Sequence, residues 1–277
     1  MSQPSRPALT DRAALLRQRA RACRQGHADF FHQIAADEIE DRLAEVNRTF
    51  TTPVIVTGFP ELWAARFPGA KVVRDDEILA LEPGAHDLVI HGLALHWAED
   101  PVGQLVQAAR ALREDGLFIG VMFGGQTLTE LRAALAQAEA DVTGGLSPRI
   151  LPMGEIRDLG GLLSRAGLAL PVADLLSQRA SYRDIFHLAR DLRAMGEGNA
   201  LAGRLRRPTR REVLARAGAI MAAHNPDRDD PSRISVSFDL VFLTGWAPSD
   251  SQPKPLRPGS AQARLADALN AARKQEE

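Results

Sequence analysis

The spacing of apolar residues along the chain changes character near residue 50. Through residues 11–50 they recur every three or four positions with charged residues between them, which predicts a helical N-terminal cap. Short apolar runs follow at 54–56, 71–73, 87–90 and 117–123, and helical stretches separate them. Strands that alternate with helices are typical of parallel βαβ units, so we predict a doubly wound α/β sheet.

The second half of the chain predicts additions to that sheet. A stop at 115–116 precedes the buried run at 117–123, and a further strand is expected at 168–174. The alternation of apolar and polar residues at 236–242 predicts an antiparallel strand at the edge of the sheet, with one half-buried face. The predicted organisation is a cap at 1–50, a main domain at 51–248 with a helical insert at about 182–224, and a Pro/Ser-rich tail with a short helix at 249–277.

Composition excludes several functional classes. With 34 basic and 35 acidic side chains the net charge is −1, which gives no global field for nucleic acid or an anionic membrane. No apolar run approaches the roughly 18 residues of a membrane-spanning helix, so we expect no transmembrane segment. Cys23 is the only cysteine, which excludes an internal disulfide and favours a reducing compartment, by default the cytoplasm. Its place on the apolar stripe of the first predicted helix suggests a small buried hydrophobe.

Candidate ligand-binding residues follow the predicted strands, because doubly wound sheets bind ligands at the carboxyl ends of their strands. Gly58 follows the first strand, Asp75 follows the second, and His91 and Gly92 end the third. Each also has a structural interpretation: Gly58 suits an ordinary turn, and Asp75 suits a solvated acidic cluster. His91, His96 and Asp100 are of the types that bind non-haem iron, but their spacing is not that of a ligand set, so no metal site is predicted.

Further candidates lie beyond the third and fourth strands. Paired glycines allow close backbone approach and a threonine can cap the helix that follows, so these residues either line a substrate cleft or simply form turns. The candidates for the substrate cleft are His96, Trp97, Gly124, Gly125, Thr127 and Ser147. Five arginines in the predicted insert would dock an acidic partner or a membrane surface, or form a solvated helix entrance: Arg204, Arg206, Arg207, Arg210 and Arg211.

Five phrases in the chain resemble one known group of proteins: DLVIHGLALHWAEDP, ALREDGLFIGVMFGGQTLTELR, GGLSPRILP, RDLGGLLSRAGLALPVAD and DLRAMGEGNA. The chain resembles the class I S-adenosylmethionine (SAM)-dependent methyltransferase-fold proteins that include the respiratory complex I assembly arginine hydroxylase, and more distantly the malonyl-carrier-protein methyltransferases. The resemblance runs from about 11 to 263 and is most specific over 87–199. It implies a Rossmann-like fold, SAM as cofactor, and a protein substrate such as a complex I subunit. It also implies methylation or arginine hydroxylation. Such a partner would place a cytoplasmic protein at the periphery of the inner membrane.

The cofactor half departs from the pattern of this group. Gly58 is the only glycine in the turn after the first strand, where close approach to a cofactor requires glycine. Only 30 residues, Thr57 to His86 inclusive, separate the first strand from the Asp87 strand, so one strand–helix unit is missing. The resemblance assigns Asp75 to the strand whose acid approaches the adenine, and the ribose-binding strand to the deletion. Two functions remain open: a SAM-dependent enzyme, and a degenerate assembly factor that no longer binds SAM.

Overall fold

The computed structural model describes residues 8–253. Its helices are α1 Arg12–Gln25, α2 Phe30–Glu45, α3 Pro60–Arg66, α4 Pro101–Ala111, α5 Thr129–Thr143, α6 Ile156–Arg165, α7 Ile185–Ala194 and α8 Arg211–His224. Its strands are β1 Pro53–Thr57, β2 Lys71–Arg74, β3 His86–Gly92, β4 Leu112–Gly124, β5 Ala169–Tyr182 and β6 Ile234–Trp246. The short helix predicted in the tail, from about residue 262, lies outside the described residues. Within residues 8–253, no helix is long and apolar enough to cross a membrane.

The strands form one sheet in the order β2-β1-β3-β4-β6-β5. The first four are parallel, and β6 is antiparallel to both β4 and β5. A doubly wound sheet normally places two strands outside its first strand, whereas only β2 lies outside β1 here, so the predicted shortening of the first half is confirmed. Because β2 pairs directly with β1, it occupies the position of the second strand in that order.

Helices cover both faces of the sheet and create two apolar cores. On one face, α2, α3, α5, α7 and α8 pack on side chains such as Ile90, Phe123 and Phe238. On the other face, α4 and α6 pack on side chains such as Val89 and Phe118. The sheet is thus the middle of three layers, which explains why its central strands are apolar on both faces.

Three strands differ from the sequence expectation. Strand β4 begins at Leu112, because it pairs with β3 through a register shift and continues across the expected stop. Strand β5 extends to Tyr182, since the long β6 pairs with it throughout. The expected edge strand, β6, lies instead between β4 and β5, so both of its faces are buried and the edge strand is β5.

The N-terminal helix α1 lies over the carboxyl ends of the strands and is held both by a small apolar cluster around Leu15 and by polar contacts. Asp11 caps it by accepting a hydrogen bond from the Ala14 N–H, and it also pairs with Arg204 and Arg206. The Ala14 bond and Arg204 together lower the pKa of Asp11 to about 2. Two of the five arginines in the basic cluster therefore hold α1 in place, and only the other three remain available to a partner.

Candidate functional site

A buried cluster of one carboxylate and two arginines occupies the carboxyl end of β2. Arg19 of α1 donates to both oxygens of Asp75 at 3.0 and 2.8 Å, and Arg12 donates to them at 2.9 and 3.0 Å. Arg19 is 3% exposed and Asp75 is 4% exposed. Burial raises the pKa of Asp75, but the hydrogen bonds and charges of the two arginines outweigh it, so the pKa lies below its ordinary value. Asp75 is a buried ion-pair partner and not part of a solvated acidic cluster.

The same guanidinium group fills the space beside Gly58. A Cβ atom placed on Gly58 would lie 2.2 Å from Nη1 and 2.3 Å from Cζ of Arg19. Gly58 is therefore required for close approach, but the group that approaches in this structure is a protein side chain. Nε and Nη2 of Arg19 have no hydrogen-bond partner among the described residues.

Protein side chains also surround the two other predicted cofactor-binding residues, Gly92 and His91. A Cβ atom on Gly92 would lie 2.5 Å from Cζ2 of Trp63, a fully buried side chain of α3. His91 is fully buried, and its Nε2 lies 2.8 Å from Oε1 of Gln104 in α4, so it belongs to the sheet–helix interface.

SAM would need the turn at Gly58 and a free acid, and these do not face one cavity. Gly58 borders a cleft of about 730 Å³ between α1 and the start of α3, and Asp75 borders a separate cavity of about 60 Å³. Arg19 stands between them. As placed in this structure, the predicted residues Gly58, Asp75, His91 and Gly92 do not form a fitting cradle for the cofactor.

Some predicted substrate-cleft residues do meet. His96, Trp97 and Thr127 line one cavity of about 60 Å³, together with a residue that the sequence analysis missed, Glu197. Oε2 of Glu197 accepts from Nε1 of Trp97 at 2.6 Å and lies 3.2 Å from Nε2 of His96. Burial raises the pKa of Glu197, but the opposite effects of His96, Arg19 and the Trp97 hydrogen bond are together larger. The pKa of Glu197 therefore lies below its ordinary value.

A histidine from α2 extends this buried cluster toward β1. Nδ1 of His32 accepts a hydrogen bond from Nε1 of Trp63 at 3.1 Å. Burial, with a smaller contribution from the charge of His27, lowers the pKa of His32 to about 3. His32 is thus a neutral structural acceptor at pH 7.

Side chains of β6 fill the space beside the paired glycines at the end of β4, and one of them, Asp239, is a second buried carboxylate. A Cβ atom on Gly125 would lie 2.5 Å from Oδ2 of Asp239, and one on Gly124 would lie 2.7 Å from Cγ2 of Val241. Thr127 donates from Oγ1 to the Gly124 carbonyl at 2.7 Å and accepts from the Asp239 N–H at 2.9 Å. Gly124 and Gly125 therefore form a turn packed on β6, without lining a cavity in common with Thr127.

The last predicted cleft residue, Ser147, belongs to another site. Its N–H and its hydroxyl both donate to Glu139 of α5, at 2.9 and 2.8 Å. It lines a separate surface pocket of about 240 Å³ with Arg149.

Three residues central to this geometry escaped the sequence analysis: Arg19, Glu197 and Asp239. Arg19 gave a usable sequence signal, because it lies four residues after Leu15 and three before Ala22, on the buried face of α1. Glu197 and Asp239 bond to partners that are distant in sequence, so no short spacing in the sequence indicated their role. Cys23, expected to be buried, is exposed beside the 730 Å³ cleft, since Ala22 takes the inward position.

Comparison with known proteins gives relatives over most of the chain. No protein-family model matches it. The mitochondrial arginine-hydroxylase NDUFAF5 of Danio rerio is 35% identical over 222 residues, which cover 80% of this chain and 68% of the relative. A malonyl-[acyl-carrier protein] O-methyltransferase of Laribacter hongkongensis is 35% identical over 185 residues, which cover 67% of this chain and 59% of that protein.

Among solved structures, a Bacillus halodurans C-125 protein described as a methyltransferase is 12% identical, with a TM-score of 0.49 over 76% of this chain and 98% of that one. The NDUFAF5 relative carries the placement by sequence identity and coverage, and the sheet order agrees with it. The chain belongs to the class I SAM-dependent methyltransferase-fold family, in the group of the arginine-hydroxylase NDUFAF5.

Proposed function

We propose that this protein takes part in the assembly of respiratory complex I by binding a partner protein, without SAM-dependent catalysis. The assembly role follows the NDUFAF5 relatives and the resemblance of the phrases over 87–199. The observation that carries the non-catalytic part is the buried Arg19–Asp75 pair. The guanidinium group of Arg19 fills the space beside Gly58 and also pairs with Asp75, the acid at the end of β2.

The free energy needed to displace Arg19 supports a stable closure of this site. A ligand that takes the place of Arg19 would break a buried ion pair and leave Asp75 with Arg12 as its only cationic partner among the described residues, which costs free energy. The ligand would have to supply that free energy in addition to its own binding. Arg12 and the contacts of Asp11 hold α1 over the same site, so removing Arg19 alone would not release the helix.

A second function, retained SAM-dependent catalysis, is favoured by the 730 Å³ cleft beside Gly58. The cleft lies on the far side of Arg19, and two nitrogens of that guanidinium group lack partners among residues 8–253. A rotation of Arg19 would join the cleft to Asp75. In that case the protein would methylate or hydroxylate its protein substrate, as the names of its relatives describe for them.

Titration calorimetry with SAM and with S-adenosylhomocysteine separates the two functions. The proposal expects no saturable heat from the wild-type protein up to about 1 mM ligand. Arg19→Gln removes the blocking guanidinium group, and the exposed Arg17→Gln on the same helix serves as a control. Micromolar binding to the wild-type protein that Asp75→Ala weakens would overturn the proposal. Thermal unfolding of each variant shows whether it is folded.

A deletion strain tests the assembly role separately. The proposal expects its membranes to lose NADH:ubiquinone oxidoreductase activity, and the wild-type gene to restore it. Mass spectrometry should then compare the complex I subunits of the wild-type and deletion strains. The proposal expects no arginine with an added methyl group or oxygen that is present in the wild-type strain and absent from the deletion strain. Such a modification would identify catalysis, and unchanged complex I activity would remove the assembly role.

The compartment follows the partner. The cytoplasmic location expected from the single cysteine receives no support from the NDUFAF5 relatives, which are mitochondrial. We propose that the protein works where complex I is assembled, at the surface of the membrane that holds it. Cell fractionation would place it in the membrane-associated fraction when complex I subunits are present.

A further inference from the structure

A surface pocket of about 240 Å³ lies away from the filled cofactor site. The end of α5, the loop at 144–149 and the segment at 205–213 enclose it. Its polar walls carry Glu139, Ser147 and three arginines, Arg149, Arg207 and Arg210. The basic cluster predicted from the sequence thus divides in two, since Arg204 and Arg206 are bound to Asp11 on the other side of the segment.

The single acid in the pocket wall is fully used inside the protein. Glu139 is 5% exposed and accepts the N–H and hydroxyl of Ser147. It also accepts Nε and Nη2 of Arg149 at 3.3 and 2.6 Å, while Nη1 of Arg149 donates to Thr209. Burial raises the pKa of Glu139, but Arg149 and Ser147 lower it below its ordinary value, so Glu139 stays a carboxylate. Glu139 and Arg149 therefore cancel each other's charge.

Arg207 and Arg210 remain as uncompensated charge at the pocket. Both side chains are exposed, and neither forms an ion pair with any residue of the described part of the chain. Arg210 is the N-cap residue of α8, and its side chain makes no capping hydrogen bond. Glu212 in the first turn of α8 offsets the positive end of the helix dipole, so the net positive charge at the pocket rests on the two arginines. The pocket consequently has a net attraction for carboxylates.

The rim of the pocket is apolar as well as basic. Leu146 is 71% exposed, while Val213 is 1% exposed and forms part of the pocket wall with Leu205. A Cβ atom placed on either of the loop glycines Gly144 and Gly145 would have nothing within 4 Å, so the space around the rim is open. An aliphatic side chain beside an acidic one fits this surface.

We propose that this pocket docks an acidic segment of a partner protein, with Arg207 and Arg210 binding its carboxylates and Leu146 contacting an adjacent aliphatic side chain. The inference rests on the proposed function, because it names the surface through which the partner is bound. A protein segment is the favoured occupant because the pocket pairs two guanidinium groups with an exposed aliphatic contact. Its lining holds no aromatic side chain on which a nucleic acid base would stack.

Fluorescence anisotropy of the full-length protein with a labelled peptide of Glu-Glu-Leu-Asp repeats tests this inference. Binding should weaken about tenfold or more in Arg207→Gln/Arg210→Gln, because both charge-assisted contacts are lost. Leu146→Ser should weaken it several-fold. The control Arg157→Gln/Arg179→Gln removes the same charge from two other exposed arginines, and it should stay within about twofold of the wild-type protein.

Every other outcome overturns the inference. These outcomes are no peptide binding, equal losses in the double variant and its control, or equal binding of a Gln-Gln-Leu-Asn peptide. Complete displacement by inorganic phosphate would indicate a small-anion site instead. Binding only to phosphatidylglycerol vesicles, lost in the double variant, would indicate a membrane contact.

The SAM titration keeps this result separate from the proposed function. If SAM binds tightly while peptide binding still requires Arg207 and Arg210, the closed cofactor site fails and the docking site stands. If neither ligand binds, the docking site fails while the closed cofactor site remains. Thermal unfolding of the double variant should match that of its control, since all four substituted side chains are exposed.

Discussion

Two buried aspartates lie near the carboxyl ends of the parallel strands, and they are neutralised in different ways. Asp75, after β2, is held by Arg12 and Arg19, which come from the N-terminal helix far away in sequence. Asp239, in β6, accepts the Gln126 N–H at 2.7 Å and the Ser177 hydroxyl at 2.7 Å. The first carboxylate needs opposite charge from another element, and the second is satisfied by neutral groups of its own half of the sheet.

A glycine lies near each of these two aspartates, and a different group fills the space beside each glycine. Arg19 fills the space beside Gly58, and Asp239 itself fills the space beside Gly125. A glycine after a strand therefore indicates close approach in both halves, but it does not indicate whether a ligand or the protein approaches. In the first half the approaching group comes from a separate helix, α1, and in the second half it comes from the sheet itself.

The largest effect is expected from Asp75→Asn. This change leaves the guanidinium group of Arg19, which is 3% exposed, without its counter-charge, and removing one partner of a buried ion pair costs about 3–5 kcal/mol. Urea unfolding at pH 7 measures the loss. Asp76→Asn is the matched control, because Asp76 is 59% exposed and pairs only with Arg12, so it should cost less than about 1 kcal/mol. Equal losses in both variants would contradict the buried pair.

The next effect is a loss of stability in weak acid that arises from His32. Its pKa is about 3 in the folded protein and about 6.5 when unfolded, so the unfolded state binds more protons between those values. Stability therefore falls as the pH drops below 6.5, by about 2 kcal/mol at pH 5 from this residue alone. His32→Gln keeps a hydrogen-bond acceptor for Trp63 and should flatten this dependence.

Urea unfolding at pH 7 and at pH 5, for the wild-type protein and His32→Gln, measures this difference. His27 and His91 also have lowered pKa values because of burial, so part of the wild-type pH dependence should persist in the variant. Parallel pH dependences in the two proteins would show that His32 is not buried as described.

A smaller effect is expected at the turn in the second half. Gly125→Ala places a Cβ atom 2.5 Å from Oδ2 of Asp239 at a backbone φ of +52°, so we expect a loss of about 1–3 kcal/mol. Gly145→Ala is the control, since nothing lies within 4 Å of its Cβ position and its φ is not positive. Thermal unfolding of the two variants checks the difference. An unchanged midpoint for Gly125→Ala would mean that Asp239 does not fill this space.

The sequence predicted the architecture well because the fold depends on local periodicity. Alternating strands and helices and the antiparallel β6 followed from spacings within short windows, and the shortened first half followed from the 30-residue interval compared with the family pattern. The position of β6 within the sheet did not, because strand order depends on pairing between distant segments. The edge prediction treated Ser237 and Asp239 as a solvent face, whereas both lie near partners from other elements.

The candidate site was less predictable, for a related reason. Sequence position marked the ends of the strands, and it therefore found Gly58, Asp75 and Gly125. It gave no information on which group fills the space beside each glycine. That depends on α1, whose docking includes long-range contacts such as Asp11 with Arg204 and Leu15 with its apolar cluster. The separation of Gly58 and Asp75 by Arg19 could be seen only in three dimensions.

Asp239→Asn provides the smallest effect and the sharpest test of the comparison, because the same substitution is made at both carboxylates. An asparagine at 239 can still accept the Gln126 N–H through its carbonyl oxygen, and its amide can donate to the Ser177 hydroxyl. We therefore expect a loss of only about 1 kcal/mol in urea unfolding, against about 3–5 kcal/mol at position 75. A loss at 239 as large as that at 75 would mean that charge matters equally in both halves. The contrast between an ion pair supplied by a separate helix and a hydrogen-bonded turn built into the sheet would then fail.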